Sequence, residues 1–224
     1  VGRHDHGGDS ALQAPCGGFD SPALHQVPVG GTVYKKVGQT NLVASRLQTM
    51  TSEARLVANK FIRRHAEKVT GKVLSIGSGG DLDWEGSRYR DYFKNSSAYF
   101  TSEISPTAKT DLKVDMRDMS QIASGMFDCI FCAGTLEHVD DMFGAMAETS
   151  RICKAGGTLL LGVPFGQAIH RPPQDFWRMT IHGLYYLLER FDFELDDILT
   201  IPGTIKGFPS CYWSNSIKKS KPDD

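Results

Sequence analysis

The chain has few cysteines, no long apolar run and no excess of charge of either sign. Its five cysteines, Cys16, Cys129, Cys132, Cys153 and Cys211, are odd in number and widely spread. That argues against a disulfide framework and fits a reducing, cytoplasmic setting. Cys129 and Cys132 have C-x-x-C spacing, but they sit in the apolar run FDCIFCA. Residues three apart in a strand face opposite sides of a sheet, so a buried structural pair is expected, not a redox or zinc site. Lys and Arg total 25 against 26 Asp and Glu. This balance gives no electrostatic footprint for duplex nucleic acid or an anionic membrane. No apolar run approaches the roughly 20 residues of a membrane-spanning helix. No metal-ligand spacing stands out, and no metal is expected. His4 and His6 read as solvated tail residues.

What is present is an alternation of strand and helix patterns. Residues 1–44 are rich in Gly and Pro and read as an arm or lid. From about Ser45 to Val69, Leu47, Met50, Ala54, Val57, Phe61 and His65 recur at three and four residues, which predicts an amphipathic helix. Thr51 or Ser52 suits its start and Gly71 its end. His65 reads as a packed core histidine. Lys72–Ile76 is an apolar run that turns abruptly into Gly77-Ser78-Gly79-Gly80, with a helix expected from there to about Asn95. Ala98–Glu103, Asp111–Asp115, Phe127–Ala133 and Thr158–Val163 predict further strands. Asp140 and Asp141 cap a helix that Lys154 and Gly156-Gly157 close. Thr180 starts another helix. Phe193–Thr200 and roughly Ser210–Ile217 leave no room for a crossover and should pair antiparallel. The expected fold is α/β, a Rossmann-like doubly wound sheet, mostly parallel, with a C-terminal antiparallel strand pair.

In an open α/β sheet, ligands sit beyond the C-terminal strand ends at the switch point. Glycines in a turn there let a ligand approach bare backbone, and the amides of a following helix would add donors. The groups at these ends are Gly77, Ser78, Gly79 and Gly80, then Glu103, then Asp115 and Met116, then Ala133, Gly134, Glu137 and His138, and last His170. An acid ending the second strand is placed to accept hydrogen bonds from a ribose diol. A nicotinamide fingerprint wants glycine at the first, third and sixth positions. The sixth position counted from Gly77 is Leu82, which disfavours NAD.

At this point the chain resembles the class I S-adenosylmethionine-dependent methyltransferases, over roughly residues 70–215. VLSIGSGGD resembles the family's first motif, TSEIS the ribose-holding strand end and VDMRDM the adenine-contacting segment. FDCIFCAGTLEHVDD resembles the fourth-strand signature and RICKAGGTLLLGVPF the approach to strand five. HRPPQDFWRMTIHGLYYLL resembles the H-x-P-x-D-[FY]-[WF]-R-[FY]-T segment of a small-molecule-like subgroup. The resemblance implies a methyltransferase domain over residues 45–224 with S-adenosylmethionine as cofactor. It implies cofactor contacts at Gly77, Ser78, Gly79, Gly80, Glu103, Asp115, Met116, Ala133 and Gly134. Members usually carry an acid where this chain has Ser75, and often a third glycine where it has Asp81. The link between strands two and three is short, so the helix usual there is in doubt.

Methyl transfer from a sulfonium is an in-line displacement that depends on positioning and, for a hydroxyl or protonated amine, on a base. His138 and His170 are the candidate bases, since histidine titrates near neutrality. Asp175 and Arg178, three apart, can pair to fix their loop or anchor a substrate, and Trp177 can wall the acceptor. Nucleic-acid amino-methylating enzymes carry an acid- or Asn-Pro-Pro-aromatic motif after strand four; this chain has AGTLEH there. The acceptor expected is therefore a small molecule, a sugar or other metabolite, methylated on O or N. Two other readings stand beside it: a non-catalytic cofactor-binding module acting through a protein partner, and an NAD-type oxidoreductase or epimerase.

Overall fold

The computed structural model describes residues 44–203 and 208–220, with side chains from residue 53 onward. Most of the expected arm, including His4, His6 and Cys16, lies outside the described residues. The elements in order are α1 (Ala44–Ala66), β1 (Lys72–Ile76), β2 (Ala98–Glu103), β3 (Leu112–Lys113), β4 (Phe127–Ala133), α2 (Met142–Ile152), β5 (Cys153–Pro164), α3 (Ile181–Arg190), β6 (Phe193–Pro202) and β7 (Pro209–Lys218). They form a seven-stranded sheet in the order β3-β2-β1-β4-β5-β7-β6. The first five strands run parallel, and β7 inserts antiparallel between β5 and β6. This is the expected mostly parallel α/β sheet with its antiparallel C-terminal pair. The order reverses direction between β1 and β4, which puts the switch point beside the glycine turn.

The central strands are apolar throughout because both faces are covered. Side chains alternate between two cores. Leu74, Ile76, Ile130, Cys132, Leu159 and Leu161 pack with α2 and α3 on one face. Val73, Cys129, Phe131 and Leu160 meet Phe61, Ile62, Ala66, Tyr92 and Phe93 on the other. Asp141 and Thr180 cap their helices as expected, accepting from Gly144 N at 2.9 Å and Gly183 N at 3.0 Å.

Five local expectations need correction. Helix α1 runs straight through Thr51 and Ser52 rather than starting there. Its buried face is Ala58, Phe61, Ile62, His65 and Ala66, while Val57 is exposed, so the apolar stripe is turned from the one the spacing suggested. Helix α2 stops at Ile152, and Lys154, Gly156 and Gly157 belong to β5. Strand β3 is two residues long, not five. The helix expected after the glycine turn is absent; only a 3₁₀ turn at Tyr89–Tyr92 interrupts the link. The cause of that last difference is local. Asp83 Oδ1 accepts from the amides of Glu85 and Ser87 at 2.9 and 2.8 Å, and Asp81 and Gly86 hold positive φ of 57° and 85°. Aspartate side chains that take backbone amides compete with a helix for them. Asp83 Oδ2 also receives Asn59 Nδ2 at 3.0 Å and the Tyr92 hydroxyl, which nails the loop to α1. The β2–β3 link has no helix either; Asp111 bonds back to Thr101 N and Oγ1 at 2.8 and 2.7 Å.

Cys129 and Cys132 are both fully buried, on opposite faces. Burial pushes the Cys132 thiol up to about 12 and Cys129 well above its ordinary range. Since the thiolate is the reactive form, both should resist thiol reagents in native protein and react only on unfolding; mass spectrometry after a short labelling pulse checks this. His65 is buried against Phe61 and holds Asp197 Oδ2 through Nε2 at 2.8 Å, while its Nδ1 has no partner among the described residues. Burial lowers its pKa against the opposing pull of Asp197, with Lys68 and Arg64 acting in the same direction as burial. The unfolded chain therefore binds the proton first as pH falls below about 6.5. Stability is fully present above that pH and declines below it. The urea midpoint should fall between pH 7 and pH 5 more in the wild type than in His65→Gln, which keeps a donor but does not titrate.

Candidate active site

Gly77 closes β1 with φ of 63°. A Cβ there would lie 2.3 Å from Thr135 Oγ1 and 2.5 Å from Thr135 Cγ2, so the ends of β1 and β4 approach too closely for any side chain. Thr135 Oγ1 in turn donates to Ile76 O at 3.3 Å. Ser78 donates to Ser102 O through its amide at 3.0 Å and its hydroxyl at 3.2 Å. Gly79, at φ of 54°, donates its amide to Glu103 Oε1 at 2.7 Å. At Gly80 a Cβ would meet nothing nearer than 4.0 Å. The turn is thus a bare-backbone ledge tied to the end of β2. The helix amides expected to add donors are not there, because the chain leaves the turn through the Asp81–Asp83 loop.

The other strand ends fall beside this ledge. The second oxygen of Glu103 has no hydrogen-bond donor among the described residues. Asp115 receives Arg117 from the amide at 2.9 Å and from the guanidinium at 2.7 to 3.1 Å. Arg117 also reaches Asp140 at 2.9 Å. These bonds, chiefly that from Arg117, hold the Asp115 carboxyl below the usual range. Met116 is 5% exposed and packed in the main core, which leaves its backbone, not its thioether, to meet a ligand. Ala133 is partly buried, and Gly134 sits exposed at φ of 62° with its amide on Gly162 O at 3.2 Å.

A second group of residues lies just past β4 and β5. Glu137 and His138 share a 3₁₀ turn, Leu136–His138. His170 comes from the loop after β5, and its ring meets that of His138 edge-on at 4.8 Å. The Nε2 atoms of His138 and His170 lie 3.9 and 3.8 Å from Glu137 Oε1. Glu137 is 4% exposed and its Oε2 is buried without a hydrogen-bond partner among the described residues. Burial pushes its carboxyl up, against the pull of His138, His170 and Arg178.

The loop carrying His170 is stapled down. Arg178 forms a two-pronged pair with Asp175 at 2.6 and 2.7 Å and reaches the carbonyls of Trp177, Ala168 and Gln167 at 2.8, 3.2 and 3.3 Å. All five guanidinium donors are thereby engaged, so the pair fixes the loop and has no donor left for a substrate. Asp175 also receives the His170 amide at 2.7 Å. Phe176 N donates to Glu137 O at 2.8 Å and Trp177 Nε1 to Val139 O at 2.7 Å. Phe176 and Trp177 keep part of their rings in solvent. Among these groups, the sequence pointed to His138, His170, Asp175, Arg178 and Trp177. It gave no role to Glu137, although that residue directly precedes His138, nor to Arg117, two residues after Asp115.

Residues 90–161, from the 3₁₀ turn into β5, match the family model described as a methyltransferase domain. No curated protein matches the chain. Among solved structures, a SAM-dependent methyltransferase from Archaeoglobus fulgidus is similar with 14% identity and a TM-score of 0.55, over 73% of this chain and 94% of that one. An S-adenosylmethionine-dependent methyltransferase from Mesorhizobium loti is similar with 13% identity and a TM-score of 0.55, over 75% and 100%. The 1,6-didemethyltoxoflavin-N1-methyltransferase of Burkholderia thailandensis, solved with 1,6-didemethyltoxoflavin and S-adenosylhomocysteine bound, is similar with 15% identity and a TM-score of 0.52, over 84% and 94%. The chain has the Rossmann-like fold these methyltransferases share.

Gly77→Ala should be destabilising on two counts, the left-handed backbone and the collision with Thr135. The backbone alone costs about 1–2 kcal/mol. A urea titration should show a loss of at least about 2 kcal/mol, part of it recovered when Thr135→Ala removes the two nearest atoms.

Proposed function

We propose that the protein transfers a methyl group from S-adenosylmethionine to an oxygen or nitrogen of a small molecule, a sugar or another metabolite. The observation that carries this reading is the Gly79–Glu103 pairing at the switch point. It presents an acceptor carboxylate beside a turn with no side chains to keep a ligand out. That combination suits a ribose diol next to a backbone-bound tail. The fold likeness to an enzyme solved with S-adenosylhomocysteine and a small acceptor supports both the cofactor and the acceptor class. The setting proposed is cytoplasmic, in keeping with the free Cys129, Cys132, Cys153 and Cys211.

The residues present fit the cofactor. Glu103 would hold the ribose. Gly77, Ser78, Gly79 and Gly80 would lie along the amino-acid part with Ala133 and Gly134. Asp115, its charge shared with Arg117, and the Met116 backbone would meet the adenine. Bound S-adenosylmethionine supplies an electrophilic methyl group on sulfur. The chain's own task is to exclude water and align the nucleophile, which can account for much of the rate. The stapled loop gives Phe176 and Trp177 as a wall for the acceptor. His138 Nδ1 faces Gln174 O and His170 Nδ1 faces Ala168 O, and each Nε2 is turned toward Glu137 Oε1, the side from which an acceptor's proton would be taken. Asp175 and Arg178 act by holding His170 in place.

Calorimetric titration tests the reading. S-adenosylhomocysteine should bind at micromolar affinity and NADH should not. Glu103→Ala should weaken the first by tenfold or more. Unchanged affinity in the mutant would remove Glu103 from the site. No binding by folded wild-type protein would favour a degenerate fold that works through a protein partner.

A further inference from the structure

The cluster past β4 and β5 has a geometry that proton transfer alone does not require. We propose that Glu137, His138 and His170 form a binding site for one divalent transition-metal ion of the zinc type. Two imidazoles and one carboxylate are a donor set that suits such ions and leaves a position open for water or a substrate atom.

Three observations carry this. First, one ligand atom from each of the three residues lies within 4.8 Å of the other two. The Nε2 atoms stand 3.8 and 3.9 Å from Glu137 Oε1. Tetrahedral bonds of about 2.0 Å place ligand atoms about 3.3 Å apart, so the two nitrogen-to-oxygen separations would each shorten by about half an ångström, and the nitrogen-to-nitrogen one by at most about 1.5 Å. Second, both imidazoles are already oriented with Nε2 toward Glu137 and Nδ1 toward other acceptors. Main-chain carbonyls, Gln174 O and Ala168 O, face the two Nδ1 atoms, and Asp175 Oδ2 adds a carboxylate 3.6 Å from His170 Nδ1. Such outer partners fix the tautomer and aim Nε2 at a metal. Third, the carboxylate is 4% exposed, and its Oε2 has no hydrogen-bond partner among the described residues. A buried carboxylate oxygen without a donor is costly, and an ion held by both oxygens would offset that cost.

The cluster adjoins the end of β4: a Cβ at Gly134 would lie 3.4 Å from Glu137 Oε1. The open coordination position would therefore suit an acceptor oxygen better than an ammonium nitrogen. This last consequence alone rests on the methyl-transfer reading; the metal site does not.

The test uses the full chain, stripped with a chelator and titrated with zinc(II) against a chromogenic competitor. Cobalt(II) gives an absorption spectrum as an independent signature. One equivalent should bind. Glu137→Gln, His138→Ala and His170→Ala should each weaken it by at least about tenfold while thermal unfolding shows the variants folded. A His4→Ala/His6→Ala variant should bind as the wild type does. Absence of stoichiometric binding, binding untouched by the three ligand variants, or binding lost with the two tail histidines would each overturn the proposal. Wild-type protein that binds S-adenosylhomocysteine but no metal would remove the metal site and leave the methyl-transfer reading standing.

Discussion

The contact between Gly77 and Thr135 sets the geometry of the whole strand-end region. With no side chain on Gly77, the Thr135 side chain fills the gap and β1 and β4 end side by side. Everything functional is placed relative to that contact. The ledge of Gly79 and Gly80 lies on one side of it, tied to Glu103. The turn that carries Glu137 and His138 starts two residues after Gly134 on the other. A bulkier residue at 77 would part the two strand ends and separate the two halves of the site. The constraint is steric and local, but its reach is the width of the cleft.

The sheet was legible in the sequence because its strands are buried on both faces. Runs such as Val73–Ile76 and Phe127–Ala133 can sit only in the middle of a covered parallel sheet. The antiparallel end was legible from chain length alone, since no crossover helix fits between β6 and β7. The crossovers were not. The segment after Gly80 has helix-compatible residues, yet Asp83 takes the amides of Glu85 and Ser87 and Asp81 that of Arg90, and the segment folds as a loop. Periodicity carries no trace of such side-chain-to-backbone bonds. The same holds for α1, where Thr51 and Ser52 resemble a start but lie mid-helix.

In the site, what could be read were positions at strand ends. What could not be read were the partners those positions find. Asp115 was visible, but not Arg117 folding back on it. His138 and His170 were visible as separate candidates 32 residues apart, and only the fold brings their rings to 4.8 Å. Glu137 was visible as a strand-end group but without a role. Its burial and its neighbour His170, 3.8 Å away on the loop after β5, are tertiary facts that spacing does not encode.

That loop has one further property. Its fastenings belong to Asp175, Arg178, the indole of Trp177 and the backbone of Phe176. The Phe176 ring takes part in none of them and is 46% exposed. An amide is supplied by every residue except proline, so the side chain at 176 can drift without unfastening the loop around it. Evolution, or a saturation library at that codon, thus has a place to vary the exposed face of this loop while its fastenings stay where they are.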